Sequence, residues 1–197
     1  MPKCYTEQEK NYIIKRLKEE AAKCLVQYGI RRTTVDELVK RVKIPKGTFY
    51  LLYQSKELLL FEVILEQHNK IEQELLEAIL ELEYKTVTCE QLTEILFRFF
   101  KTAVKMPVLN MLASEDIEIL NRKLPEEVLA AHQNEDSSMI KKILSALHME
   151  ETKSIEAFSA AFRAIYFATL HKDQLDELHY DNALRLLING LVIQLLQ

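Results

Sequence analysis

The 197 residues are 48% hydrophobic and 28% charged, with 3 Gly, 4 Pro, 3 Cys and no Trp. Such a chain has enough apolar material for a core and too few turn formers for a many-stranded β fold, and it is not disordered, collagen-like or disulfide-stapled. The net charge of -4 hides an asymmetry: residues 1–60 hold 13 Lys+Arg against 7 Asp+Glu, a surplus of +6, which leaves 13 against 23, or -10, for the remainder.

In chain order, Ile13, Leu17, Ala21, Leu25 and Tyr28 recur at helical spacing, and Gly29 ends that first helix as a C-cap residue. Thr34 stands three residues before Glu37, the spacing of a capping box in which each side chain bonds the other's backbone N–H, and Val35, Leu38, Val39 and Val42 give the short helix that follows an apolar side. Lys43-Ile44-Pro45 interrupts the pattern, because proline biases the residue before it away from helical geometry yet suits a helix start, so a second short helix begins at Pro45 or Lys46. Ser55 offers the next cap, and one long amphipathic helix is expected from there to about Leu82. Two short helices across a three-residue turn, with a longer helix before and after, match the helix-turn-helix plan; pattern alone leaves a DNA-binding hairpin and a purely structural one equally open.

The rest reads as helical throughout. Leu92, Ile95, Leu96, Phe99, Phe100 and Ala103 form a stripe ending near Pro107, Val108 to Leu120 resumes it, and Pro125 opens another helix, in which the polar run AHQNEDSSM is a solvated turn or a kink. Two strongly apolar helices, 155–170 and 181–196, close the chain. Ile155, Phe158, Ala161, Phe162 and Ile165 form a stripe on one, and Ala183, Leu184, Leu187, Ile188, Leu191, Val192 and Leu195 form another that is too wide for one side of a small domain to bury. A homodimer through residues 155–170 and 181–196 is therefore expected, with Ala160, Ala161, Ala164 and Gly190 permitting close approach.

Cys4, Cys24 and Cys89 are odd in number and form no CxxC pair, which fits inert thiols in a reducing cytoplasm. Neither an apolar leader nor an uncharged run of membrane-spanning length is visible. The histidines at 68, 132, 148, 171 and 179 make no HExxH and no i,i+4 pair, so no metal site is expected. Three glycines in the whole chain leave no phosphate-binding loop, and no nucleophile elbow is present, so neither a cofactor nor catalysis is expected.

The run TTVDELVKRVKIPKGTFYLLYQSKELLL at 33–60 closely resembles the DNA-binding signature of the TetR family of transcriptional repressors: the Thr33-Thr34 start, Val35 and Leu38, the turn before Lys46-Gly47-Thr48-Phe49-Tyr50, and the Ser55-Lys56-Glu57-Leu58 opening of the fourth helix. AAKCLVQYGIRRTTV at 21–35 resembles the family's first helix and glycine exit. Leu52 departs from the common aromatic or histidine, and Tyr53 from the usual phenylalanine.

The resemblance implies an all-α chain, with a helix-turn-helix DNA-binding domain over 1–54 joined by the long helix to an effector-binding and dimerisation domain over 55–197. It implies a cytoplasmic, homodimeric, non-enzymatic repressor of a palindromic operator, released by an unidentified small-molecule effector. The alternative is a helical interaction module or bundle ligand carrier whose hairpin is structural only. DNA contacts are expected at Lys46, Gly47, Thr48 and Tyr50 in the first turns of the recognition helix, and at Thr34 and Lys56 beside other helix starts. Arg31, Arg32, Lys40, Arg41 and Lys43 would add sequence-independent attraction, while Phe49 belongs to the small core. Phe99, Met111, Phe162 and Tyr166 are candidates to line an effector pocket, with Arg98, Asn110, His68 or Glu115 supplying polar contacts.

Overall fold

The computed structural model describes residues 5–82, 87–111, 115–147, 154–172 and 178–197; within them the side chains of 110, 115–116 and 131–140 are not described. Cys4 and the side chains of Asn110 and Glu115 therefore lie outside the described residues. The described residues hold helices and no strand: α1 Glu7–Arg32, α2 Val35–Val42, α3 Lys46–Leu52, α4 Lys56–Leu80, α5 Cys89–Val104, α6 Pro107–Asn110, α7 Glu115–Lys123, α8 Glu126–Ala146, α9 Ile155–Leu170 and α10 Tyr180–Leu196. The all-α expectation holds. None of these helices is long and apolar enough to cross a membrane.

The chain divides into two units, one of residues 1–68 and 107–125, the other of residues 69–106 and 126–197. α4 contributes its first half to the former and its second half to the latter.

In the first unit α1 starts in a full capping box, with Thr6 Oγ1 accepting from the Glu9 N–H and the Glu9 carboxylate accepting from the Thr6 N–H. Its regular turns break at Gly29, as the sequence leads one to expect: that residue takes φ 74° and ψ -179°, a non-helical conformation open to glycine, and a last helical stretch reaches Arg32 beyond the break. Thr33 closes the end by donating its hydroxyl to the Gly29 carbonyl at 2.7 Å. Ile13, Leu17, Ala21, Cys24 and Leu25 are buried, joined by Leu38 and Phe49, which is fully enclosed. Burial raises the Cys24 thiol pKa above its usual value, which leaves it protonated and unreactive. Tyr28 differs from the periodic expectation, since its ring is exposed and sits beneath the Arg41 guanidinium, 5.7 Å from the centroid.

The second unit is built on α5, α8, α9, α10 and the end of α4, around Leu92, Leu96, Phe100, Leu144, Ile188 and Val192. Its α5–α10 seam is polar at the rim: Arg185 pairs with Glu94 and stacks 3.6 Å over the Phe97 ring, and Lys101 reaches Asp181 at 2.6 Å. The polar run within 126–146 breaks nothing, because it contains neither Gly nor Pro, and α8 passes through it as one helix.

Candidate nucleic-acid interface

Thr34 caps α2, its Oγ1 accepting from the Glu37 N–H at 3.2 Å. The expected return bond of a capping box is absent, because the Glu37 carboxylate instead accepts from Arg41 Nε at 2.6 Å. That arginine is a hub within the unit. It also donates to the Tyr28 hydroxyl at 3.1 Å and to Gln27 Oε1 at 3.3 Å, and lies 3.6 Å from Glu20. Arg41 therefore ties α2 to α1 and is not a loose cation awaiting a phosphate.

α2 ends at Lys43 in the left-handed conformation, φ 60° and ψ 48°, where its N–H bonds the Val39 carbonyl; Pro45 then precedes the first turn of α3. This is the three-residue turn of the helix-turn-helix. Behind it Lys18 pairs with Glu62 and Glu66, both at 2.6 Å, and Glu62 also accepts from the Tyr53 hydroxyl at 2.8 Å. Burial works against the charge on Lys18, but its two carboxylate partners prevail and raise its pKa. Burial, with Glu62 alongside, also pushes the Tyr53 phenol upward, so this phenylalanine replacement keeps its proton and braces α3 against α4.

The expected contact residues separate into two groups. Lys46, Gly47 and Tyr50 are exposed on α3, and Thr34 is exposed at the head of α2. Lys46 is 2.8 Å from Asp36, which raises its pKa, and Tyr50 is 52% exposed with its ring edge-on to Phe49. Thr48 and Lys56 are placed otherwise. Thr48 is buried and shares a hydrogen bond with the Tyr5 hydroxyl at 3.2 Å, because its position on α3 faces the core beside Phe49. Lys56 donates to the carbonyls of Thr33 at 2.6 Å and Ile30 at 3.0 Å, filling acceptors that the end of α1 leaves open. Leu51, not among the expected residues, is 73% exposed one turn beyond Gly47. A helical wheel centred on buried Phe49 would have found it.

Of the pocket candidates in the second unit, Phe99 and Phe162 line different cavities. Phe99 borders a cleft of about 170 Å³ between α4 and α5, whose other walls are Ile71, Leu75, Ala78 and Ile95, with Glu74, Arg98 and Thr102 as polar groups. Phe162 touches Phe99, centroids 5.5 Å apart, but lines a separate carbon-walled pocket among α5, α8, α9 and α10 with room only for a water-sized body, about 20 Å³. Tyr166 packs on the core of the same unit, and Met111 belongs to the other unit. No group of three or more His, Cys, Asp or Glu side chains that could hold a metal ion occurs among the described residues.

The two closing helices also differ from the stripes expected of them. Ile165, Leu184, Ile188, Val192 and Leu195 are buried in the unit's own core, joined there by partly buried Phe158, Phe162 and Leu191. The bare face holds part of the expected set, Ala160 and Ala164 on α9 and Ala183, Leu187 and Gly190 on α10, together with Ala157, Phe167, Leu186 and Ile193, which were not expected there.

Residues 17–63 match the family model described as bacterial regulatory proteins, tetR family. An uncharacterised helix-turn-helix transcriptional regulator of Bacillus subtilis (strain 168), YuxN, is 40% identical over 52 residues, a match spanning 26% of this chain and only 18% of that protein. A putative TetR-family transcriptional regulator from Mesorhizobium loti superposes with TM-score 0.64 at 13% identity, covering 98% of each chain. Thermus thermophilus FadR, a TetR-family repressor solved with lauroyl-CoA, gives TM-score 0.60 at 18% identity, covering 93% of each chain. Bacillus subtilis FadR, solved with stearoyl-CoA, gives 0.58 at 18%, covering 92% of this chain and 96% of that one. At these identities the structural likeness establishes the fold.

Proposed function

We propose that this chain, which carries the N-terminal helix-turn-helix segment of the TetR family over residues 17–63, is a homodimeric DNA-binding regulator that represses from a palindromic operator and is released by a small-molecule effector. The observation that carries this reading is the outward face of α3. Lys46, Gly47 and Tyr50 lie exposed on a helix held by an enclosed Phe49 and by the Tyr53–Glu62–Lys18 brace. A helix fixed in this way and bare on one side suits the major groove. Thr34 and Lys46 contact phosphates, Tyr50 reaches a phosphate or base edge, and Gly47 admits the duplex. Thr48 and Lys56 act from behind, the first holding α3 to the start of the chain and the second holding α4 to the end of α1.

The dimer forms through the bare face of α9 and α10, where Leu186 is 75%, Leu187 54% and Phe167 49% exposed. A second copy is the natural occupant, since a two-fold axis sets the same small and apolar residues of both helices against each other. The effector enters the α4–α5 cleft, whose apolar walls and few polar groups suit a compact apolar body with one polar end. Acyl-CoA binding by the two FadR proteins supports an apolar effector class, though a cleft of about 170 Å³ fits a short body rather than a long acyl chain.

Titrating the full-length chain against randomised palindromic duplexes at several salt concentrations tests the reading. Submicromolar binding by a dimer, with a log–log salt slope of several units, supports it. A weak affinity that is flat in salt leaves the structural hairpin of an interaction module instead.

A further inference from the structure

In the major groove the side chains that grip two atoms of a base at once are Arg or Lys on guanine and Asn or Gln on adenine. α3 reads KGTFYLL and contains no Arg, Asn or Gln. Its one lysine is held at 2.8 Å by Asp36, and its threonine is turned inward to Tyr5. What remains outward, besides the Tyr50 hydroxyl and Lys46, which the reading above assigns to a phosphate, is Leu51, 73% exposed. An apolar side chain distinguishes one feature of that groove, the 5-methyl group of thymine.

Gly47 supplies the second half of the argument. It lies four residues before Leu51 and so shares its face of the helix. A Cβ added there would meet nothing within 4 Å, and the residue has no positive φ, so nothing in the chain's own packing requires a glycine. Glycine inside a helix is nevertheless destabilising relative to alanine. Its missing side chain leaves that face of the helix open to a partner outside the chain. A leucine touches a methyl group at about 4 Å, and bare backbone one turn away lets the helix come that close.

We propose that Leu51 is a specificity-determining residue that seats on the 5-methyl group of a thymine in each half-site, with Gly47 providing the approach. This rests on the DNA-binding reading above. The test takes an operator selected from randomised duplexes by the full-length protein and replaces each thymine in turn by uracil, which deletes only the methyl. Affinity is measured by fluorescence anisotropy at one salt concentration. Since burying one methyl-sized group is worth roughly a factor of four, the wild type should lose about three- to fivefold at one thymine per half-site and about tenfold or more when both are replaced. Leu51→Ala should bind the thymine and uracil operators equally, as should Leu51→Gln, which keeps the side-chain length. Circular dichroism on both variants establishes that the helices persist. A Leu51→Ala protein with the wild-type thymine-to-uracil ratio, or a wild type indifferent to every methyl, overturns the inference while leaving DNA binding intact. Failure to bind any duplex overturns the regulatory reading and this inference with it.

Discussion

The ammonium of Lys56 lies 2.6 Å from the carbonyl oxygen of Thr33, with the Ile30 carbonyl 3.0 Å away. One side chain at the start of α4 thereby closes the end of α1, where backbone acceptors would otherwise be left without partners. Because the contact is internal, Lys56→Gln should lower stability by about 1.5–3 kcal/mol, the range for a hydrogen bond to a charged group. It should leave the salt dependence of DNA binding unchanged. A lysine that neutralised a phosphate would behave in the opposite way, taking about one unit off the salt slope at little expense of stability. Urea denaturation and anisotropy titrations on the same variant separate the two.

Gly47→Ala should move stability and binding in opposite directions. With open space around its Cβ and no unusual φ, the alanine fits and should add about 0.5–1 kcal/mol to folding stability. The same methyl stands between the helix and the duplex, so operator affinity should fall by about tenfold. A variant that is both more stable and equally tight would remove Gly47 from the interface.

These two lysine and glycine cases mark what a sequence exposes and what it conceals. Gly47, Tyr50 and the Thr34 cap could be read locally, because each depends on neighbours within a turn or so. Thr48 and Lys56 could not, since their partners are 43, 26 and 23 residues away in the chain. Gly29 was visible as a break, but whether the chain turns or merely kinks there depends on the Thr33 hydroxyl that recaptures its carbonyl. In α10 nearly every face is apolar, so periodicity shows that much must be buried without showing which half meets the chain's own core. Leu184, Ile188 and Val192 turned inward, and Leu186, Leu187 and Ile193 stayed bare.

That bare half carries the dimer prediction. Leu187→Glu places a charge on an exposed position, so the isolated unit should fold as before, while an interface formed there would have to bury an unpaired carboxylate. Size-exclusion chromatography with light scattering should show a monomer at micromolar concentration where the wild type is dimeric. Near-unchanged helicity should accompany it. A dimer that survives the substitution puts the interface elsewhere.

Glu20 sets part of the acid limit of the first unit. It is a buried carboxylate on α1 whose hydrogen bond from Lys23, 2.7 Å, outweighs burial and lowers its pKa below 4.5, with Arg41 assisting. A folded pKa below the unfolded one means that the stabilisation is complete above about pH 4.5 and is lost as pH falls through the folded value. Glu20→Gln should therefore lower Tm near neutral pH and show a smaller further fall than the wild type between about pH 5 and pH 3. Parallel Tm–pH curves for the two proteins would show that Glu20 contributes nothing to acid unfolding.

Release by an effector imposes a reciprocity that can be measured before the natural molecule is known. Any compound that weakens operator binding by some factor must bind the operator complex more weakly than the free protein by the same factor. Screening small aromatic and short-chain aliphatic acids is a reasonable start, because the cleft combines the Ile71, Leu75 and Phe99 surfaces with the Arg98 guanidinium. Arg98 is mostly exposed and lies 3.3 Å from Glu94, which is itself held in its charged form chiefly by Arg185. Its guanidinium can therefore turn to an incoming carboxylate without stranding Glu94. Ala78→Phe fills the cleft from the α4 wall and should abolish release while leaving operator affinity in the absence of the compound within about twofold. Arg98→Ala should weaken an acid effector by about tenfold and leave its uncharged amide unaffected, consistent with loss of one charge-assisted hydrogen bond. Calorimetric titrations of the compound against free and operator-bound protein supply the check. Equal affinities in the two would show a ligand without coupling, and release that persists in Ala78→Phe would place the effector outside this cleft.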